Sequence, residues 1–127
     1  MQLLSEIKFN DKGLIPAVIA DVVDNCVLTL CYMNEEALRK TIETGKVYVF
    51  RRSQNKLMLK GETSGHIQIV KEIFFDCEGN SLVFKVEQKV AACHAGYRTC
   101  YFRRYNPRTD SVQIVEEKVF EPEKVYK

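Results

Sequence analysis

The chain has 127 residues, 46% of them hydrophobic and 28% charged, with a net charge of +2. That length suits one domain with a core of useful size, and so small a net charge gives no electrostatic footprint for nucleic acid. No apolar run is long enough to span a membrane, and Met1-Gln2-Leu3-Leu4-Ser5-Glu6 lacks the basic-then-apolar order of a secretory leader, so a cytoplasmic location is expected.

Strands come first in the predicted order. Ile15 to Val22 and Cys26 to Met33 are β-branched and apolar, and Asp24-Asn25 between them reads as a hairpin turn. Asn34 then caps a helix whose first turn carries Glu35 and Glu36, where the helix dipole favours acids. Leu38 and Ile42 are its apolar pair, and Gly45 is its stop. Val47 to Arg52 and Lys56 to Lys60 follow as strands around Ser53-Gln54-Asn55. Ile67 to Phe75 and Leu82 to Val86 are strands joined across Asp76 to Ser81, a stretch rich in Asp, Gly and Asn. Cys93 to Gly96 reads as a loop or one helical turn. Arg98 to Tyr105 and Val112 to Val115 read as final strands, and about the last ten residues are expected to fray. The sum is an α+β domain of residues 1–127, mostly antiparallel sheet with one clear helix.

The cysteine count is five, an odd number. In a reducing cytosol such residues are ligands or small packing groups rather than disulfides. Cys26 and Cys31 flank an apolar run and read as packing. Cys77, Cys93 and Cys100 differ. They stand in Asp76-Cys77-Glu78-Gly79-Asn80 and in Cys93-His94-Ala95-Gly96-Tyr97-Arg98-Thr99-Cys100. A polar turn is a poor place for a packing cysteine. Three thiolates suit zinc and leave a fourth position for water, which is how a catalytic zinc is held. The competing reading is burial as small hydrophobes, and Cys100 inside Thr99-Cys100-Tyr101-Phe102 fits it best.

Other groups gather near these. His66 and His94 are the two histidines, and the place of His94 beside a ligand cysteine favours a base or a donor to the metal site. Asp76, Glu78 and Asn80 offer oxygens at alternate positions, the pattern of a weak magnesium site. By pattern alone a solvated β-turn explains them better. Lys60-Gly61-Glu62-Thr63-Ser64-Gly65-His66 mixes a cation, hydroxyls and glycines, which lets backbone amides approach a phosphate. It has no Gly-Lys-Ser/Thr and is not a P-loop, so a flexible polar turn is its alternative.

These motifs converge on one family. Gly13-Leu14-Ile15-Pro16-Ala17, Met33-Asn34-Glu35-Glu36-Ala37-Leu38, Arg52-Ser53, Lys60 to His66, Asp76-Cys77 and Cys93-His94-x-Gly96-x-Arg98-x-Cys100 occur in this order. The chain resembles phosphoribosyl-AMP cyclohydrolase, the histidine-biosynthesis enzyme that opens the adenine ring of its substrate. The resemblance is strongest over residues 13–105 and leaves 106–127 as a C-terminal extension. It implies a homodimer with zinc at the subunit interface. Cys93 and Cys100 of one chain and Cys77 of the other would hold the zinc, and His94 would stand next to its water. Asp76, with Glu78 and Asn80, would belong to a magnesium site. His94, or Glu62, would move the proton. Arg51, Arg52, Ser53, Lys60, Thr63, Ser64, His66 and Arg98 would bind the nucleotide, the arginines through their phosphate-matching fork.

The chain departs from the family pattern at several places. Cys31-Tyr32 stand where Gly-Trp is usual, Arg51 where a serine is usual, Met58 where a tryptophan is usual, and Glu78 and Asn80 where aspartates are usual. Two alternatives therefore stay open. One is a divergent zinc hydrolase of the same fold acting on another purine nucleotide. The other is a non-catalytic, zinc-stapled dimeric binding module.

Overall fold

The computed structural model describes residues 1–125. Among the described residues the chain forms three helices and eight strands. They are α1 (Gln2–Glu6), β1 (Ile15–Asp21), β2 (Val27–Met33), α2 (Glu35–Thr44), β3 (Tyr48–Arg51) and β4 (Lys56–Leu59). Next come β5 (Gln68–Phe75), β6 (Leu82–Gln88), β7 (Arg103–Asn106), β8 (Ser111–Ile114) and α3 (Pro122–Val125).

A four-stranded sheet with the order β2-β1-β6-β5 forms the centre. Its alternating residues explain why it holds. Ile15, Ala17 and Ile19 of β1, and Leu82, Phe84 and Val86 of β6, recur at every second position, and all six are fully buried. Leu28 and Met33 of β2 and Leu38 of α2 complete this core. Burying one such side chain contributes about 1.5–3 kcal/mol.

The sheet is mixed. β1 runs antiparallel to β2, and β5 antiparallel to β6, but β1 and β6 are parallel, with Ala17 opposite Leu82 and Ile19 opposite Phe84. Two further antiparallel pairs, β3–β4 and β7–β8, stand apart as two-stranded ribbons.

Helix α2 starts and stops at the expected residues. The Asn34 Oδ1 accepts from the Ala37 N–H at 2.8 Å, and Gly45 closes the helix in the left-handed region, donating to Thr41 O at 2.9 Å. Its buried face is Ala37, Leu38 and Thr41. Ile42 is 37% exposed, so the helix turns Thr41 rather than Ile42 inward. The reason is a hydrogen bond: Thr41 Oγ1 accepts from the Tyr48 N–H at 2.9 Å and ties the helix to the start of β3.

Three expectations change. Residues 98–102 are no strand; β7 starts only at Arg103. Thr99 is buried there and donates its hydroxyl to Val27 O at 2.7 Å, while the Cys100 N–H donates to Leu28 O at 2.7 Å. These contacts reach the rim of β2 without forming a ladder. The second change is at Gln2–Glu6, where a helix precedes the first strand. The third is at the C-terminal end, where Pro122 opens a short helix at a position that proline suits.

Candidate active site

Two loops converge beside the β3–β4 ribbon. The first runs from Lys60 to Ile67. It closes on itself: the Gly65 N–H donates to Gly61 O at 2.7 Å, and the His66 N–H donates to Ser64 Oγ at 3.1 Å. Gly61 has φ +86°, and a Cβ there would meet the His66 backbone carbonyl carbon and oxygen at 2.5 Å, so the tight return requires glycine. The second loop follows β6. In it the Ala92 N–H donates to Arg98 O at 2.9 Å and the Cys93 N–H to Tyr97 O at 3.2 Å.

Between these loops lies a cavity of about 650 Å³. Lys60, Glu62, Thr63, Ser64 and His66 line it from the first loop, and Ala91, Ala92 and His94 from the second. Arg51 and Met58 come from the ribbon, and Pro122 and Glu123 from the chain end. An adjoining hollow of about 430 Å³ shares Arg51 and Lys60 with it and adds Tyr32, Arg52 and Ser53. In that hollow the Arg52 guanidinium stacks 4.1 Å over the Tyr32 ring, a cation–π contact that fixes the cation's plane. Lys60 Nζ is held at 3.5 Å from Ala92 O, where it bridges the two loops.

The thiols divide into three situations. Cys26 and Cys31 pack against the core, and burial pushes the Cys31 thiol up to about 12. Cys93 is buried, and the Ala95 N–H donates to its sulfur at 3.4 Å. Cys100 lies against it. Burial pushes the Cys100 thiol up, a hydrogen bond from Thr29 acts against that, and the adjacent Cys93 pushes it further up. Cys77 is exposed on the β5–β6 turn, away from the pair.

The donor chemistry fits part of a zinc site. Cys93 and Cys100, two touching thiols, are a pair that a soft divalent cation would ionise and hold. Among the described residues no three Cys, His, Asp or Glu side chains form one ligand set. The acidic turn closes on itself. Asp76 Oδ1 accepts from the Asn80 N–H at 2.8 Å and from the Ser81 N–H at 3.1 Å, and Asn80 Nδ2 donates to Glu78 Oε2 at 3.4 Å. In this chain that geometry fits a capped turn.

Arg98 has carboxylate partners rather than a place in either cavity. Its Nη2 lies 3.0 Å from Asp21 Oδ2 and 2.9 Å from both Asp24 oxygens, at the β1–β2 turn. The arrangement moors the loop between Cys93 and Cys100 to the central sheet. Hydrogen bonds to Asp24 and then Asp21 push the Arg98 pKa up. The Arg98 hydrogen bond, and then the Cys26 N–H, hold the Asp24 carboxyl below its usual range.

A second tether, which no local motif announces, lies at the end of β6. Gln88 Nε2 is within reach of four carbonyls, those of His66 at 3.0 Å, Ile67 at 3.5 Å, Lys89 at 3.0 Å and Ala91 at 3.3 Å. Gln68 Nε2 donates to Gln88 Oε1 at 2.6 Å. One amide thus stitches both cavity loops together at the end of β6.

A family model for phosphoribosyl-AMP cyclohydrolase matches residues 29–102, the span that holds both loops and the thiol pair. The chain is 52% identical to the phosphoribosyl-AMP cyclohydrolase of Desulforapulum autotrophicum, covering 96% of this chain and 98% of that protein. It is 47% identical to the phosphoribosyl-AMP cyclohydrolase of Pelotomaculum thermopropionicum, covering 97% of this chain and 95% of that protein. It is also 47% identical to the histidine biosynthesis bifunctional protein HisIE of Thermoanaerobacter pseudethanolicus. That alignment covers 98% of this chain but spans only 56% of the longer relative. With the family model matched across more than half its length and relatives aligned nearly end to end, the chain belongs to the phosphoribosyl-AMP cyclohydrolase family.

Proposed function

We propose that this chain opens the adenine ring of phosphoribosyl-AMP by hydrolysis, in the histidine-biosynthetic sequence and in the cytoplasm, as a homodimer holding zinc. One observation carries the reading. A nucleotide-sized cavity lined by Lys60, Thr63, Ser64, His66 and His94 opens beside two touching thiols, Cys93 and Cys100. The five free thiols suit a reducing compartment.

Cys93 and Cys100 would take two zinc positions, and Cys77 of a second copy the third. When bound, the zinc supplies an ionised water at neutral pH. In the reaction a water oxygen adds to the ring carbon bearing the exocyclic amine. The bond from that carbon to the ribosylated ring nitrogen breaks, and the ring nitrogen must gain a proton. His94 follows Cys93 directly and lines the cavity, so it is the group we assign to carry that proton. Glu62, on the opposite loop, is the second candidate. Lys60, Arg51 and the Thr63 and Ser64 hydroxyls bind one phosphate, and Arg52 with Ser53 in the adjoining hollow bind the other. Arg98 acts by mooring the thiol loop. A magnesium ion at Asp76 would gain less from Glu78 and Asn80 than from a full set of carboxylates, because hard cations prefer charged oxygens.

The test is turnover. Metal-replete protein should convert phosphoribosyl-AMP, followed by absorbance, and His94→Asn should lower kcat by about 10²-fold or more. Full activity of His94→Asn would remove the proton assignment. A metal-loaded native protein inactive on phosphoribosyl-AMP but active on another purine nucleotide would favour a diverged substrate, to which Tyr32, Arg51 and Met58 at the cavity walls point.

A further inference from the structure

Beyond residue 102, where the family model's match ends, the chain turns back across the site. The Val115 N–H donates to Phe102 O at 2.8 Å, Tyr97 and Lys118 form an antiparallel bridge, and the Val119 N–H donates to Gly96 O at 2.7 Å. The crossing is close. Gly96 has φ +104°, and a Cβ there would meet Phe120 O at 2.6 Å and Pro122 Cδ at 3.4 Å. The loop between Cys93 and Cys100 therefore keeps a glycine where this strap passes over it.

The strap delivers one aromatic ring to the cavity wall. The Phe120 and His66 rings meet edge-on, with centroids 4.8 Å apart and planes at 82°. His66 lines the cavity, and its Nδ1 is buried with no hydrogen-bond partner. A buried polar atom left unpaired is costly unless a ligand or water meets it. Immediately after Phe120, Pro122 and Glu123 extend the same wall.

We infer that the C-terminal strap is a working wall of the substrate pocket and that Phe120 is a positioning residue, fixing the His66 imidazole in the orientation in which it lines the cavity and meets the bound nucleotide. The strap crosses the thiol loop at Gly96 and touches the Lys60–Ile67 loop at His66, so it spans both sides of the cavity. The inference rests on the proposed function for the identity of the nucleotide. The rigid edge-on contact stabilises one imidazole orientation before binding, and its loss lets the ring turn away. Such a contact helps ground state and transition state alike, so it shows in KM rather than kcat.

The experiment uses the full, metal-loaded chain. The two histidines give few imidazole NMR signals, and His66→Asn identifies which belong to His66. Phe120→Leu should shift the His66 signals, raise KM for phosphoribosyl-AMP by about fivefold to tenfold and leave kcat within about twofold. Phe120→Tyr, which keeps the ring, should restore KM. If Phe120→Leu does not fold, Phe120→Met reads the same quantities. An unchanged KM alongside shifted His66 signals, or a loss of thermal stability with no change in KM, would overturn the inference. If the native chain does not turn over phosphoribosyl-AMP, the proposed function fails separately. AMP binding read at the His66 signals then decides: weaker binding in Phe120→Leu upholds the positioning role, and equal binding removes it.

Discussion

Cys93 and Cys26 are both thiols in one small domain, and surroundings alone separate them. Cys26 is half-buried against the core, while Cys93 is buried against Cys100 with a backbone N–H on its sulfur. Replacing Cys93 or Cys100 with serine should therefore remove most bound zinc and most activity together, measured by metal analysis of the purified variants. Cys26→Ser should keep the zinc and cost only about 1 kcal/mol of stability. The reverse pattern would displace the ligand assignment. Asp24 gives a second outcome at this scale. Its carboxyl is held below the ordinary value of 3.8 by Arg98 and the Cys26 N–H. A depressed carboxyl pKa contributes stability that is present above the unfolded value and lost as pH falls through the folded one. Melting temperatures should thus fall in native protein as pH drops below about 4, and part of that fall should be missing in Asp24→Asn. Equal acid slopes for the two proteins would show that the pair with Arg98 adds nothing.

Loops carry the chemistry and strand ends position them, so the next scale is the junction at Gln88. Its amide has two hydrogens for four nearby carbonyls, and its oxygen takes the Gln68 amide. Gln88→Leu would leave those groups unpaired, two loops untied and Gln68 orphaned. It should destabilise the protein by about 1–3 kcal/mol and raise KM more than it lowers kcat, read by denaturant titration and initial rates. A stable Gln88→Leu with native KM would show that water takes over the stitch. Strands β1, β2, β5 and β6 and helix α2 were legible because apolar periodicity and the Asn34 and Gly45 caps state them locally. Residues 98–102 read as strand because Thr99 and Cys100 look like strand residues, but they direct their hydrogen bonds to the rim of β2. The thiols, His94 and the loop from Lys60 to His66 were visible as motifs. Asp21, Asp24, Gln88 and Phe120 were not, because each acts through a partner far away in sequence that no local pattern names.

For the whole molecule, the proposed shared zinc would tie the metal to association, as among the described residues no three Cys, His, Asp or Glu side chains form one ligand set. If zinc joins two copies, chelation should lower both the melting temperature and the dimer fraction in sedimentation, since whatever binds only the assembled state stabilises it. A monomer with full zinc content would sink the shared site. The parallel pairing of β1 with β6 has a consequence in time rather than in energy. Ala17 finds Leu82 only after β2, α2, β3, β4 and β5 have been laid down between them. That ladder must close a long loop before any of its hydrogen bonds repays the lost chain freedom. Hairpins such as β1–β2 and β5–β6 can form early, but the sheet that unites them waits on this step. Refolding should accordingly fall on the slow side for a domain of this size, in milliseconds to seconds. Conservative truncations such as Ile19→Val or Val86→Ala should slow it in stopped-flow measurements only if the parallel pair is already formed at the barrier. If they instead speed unfolding, the two halves meet late, and each hairpin spends the interval with one apolar edge open to neighbouring chains.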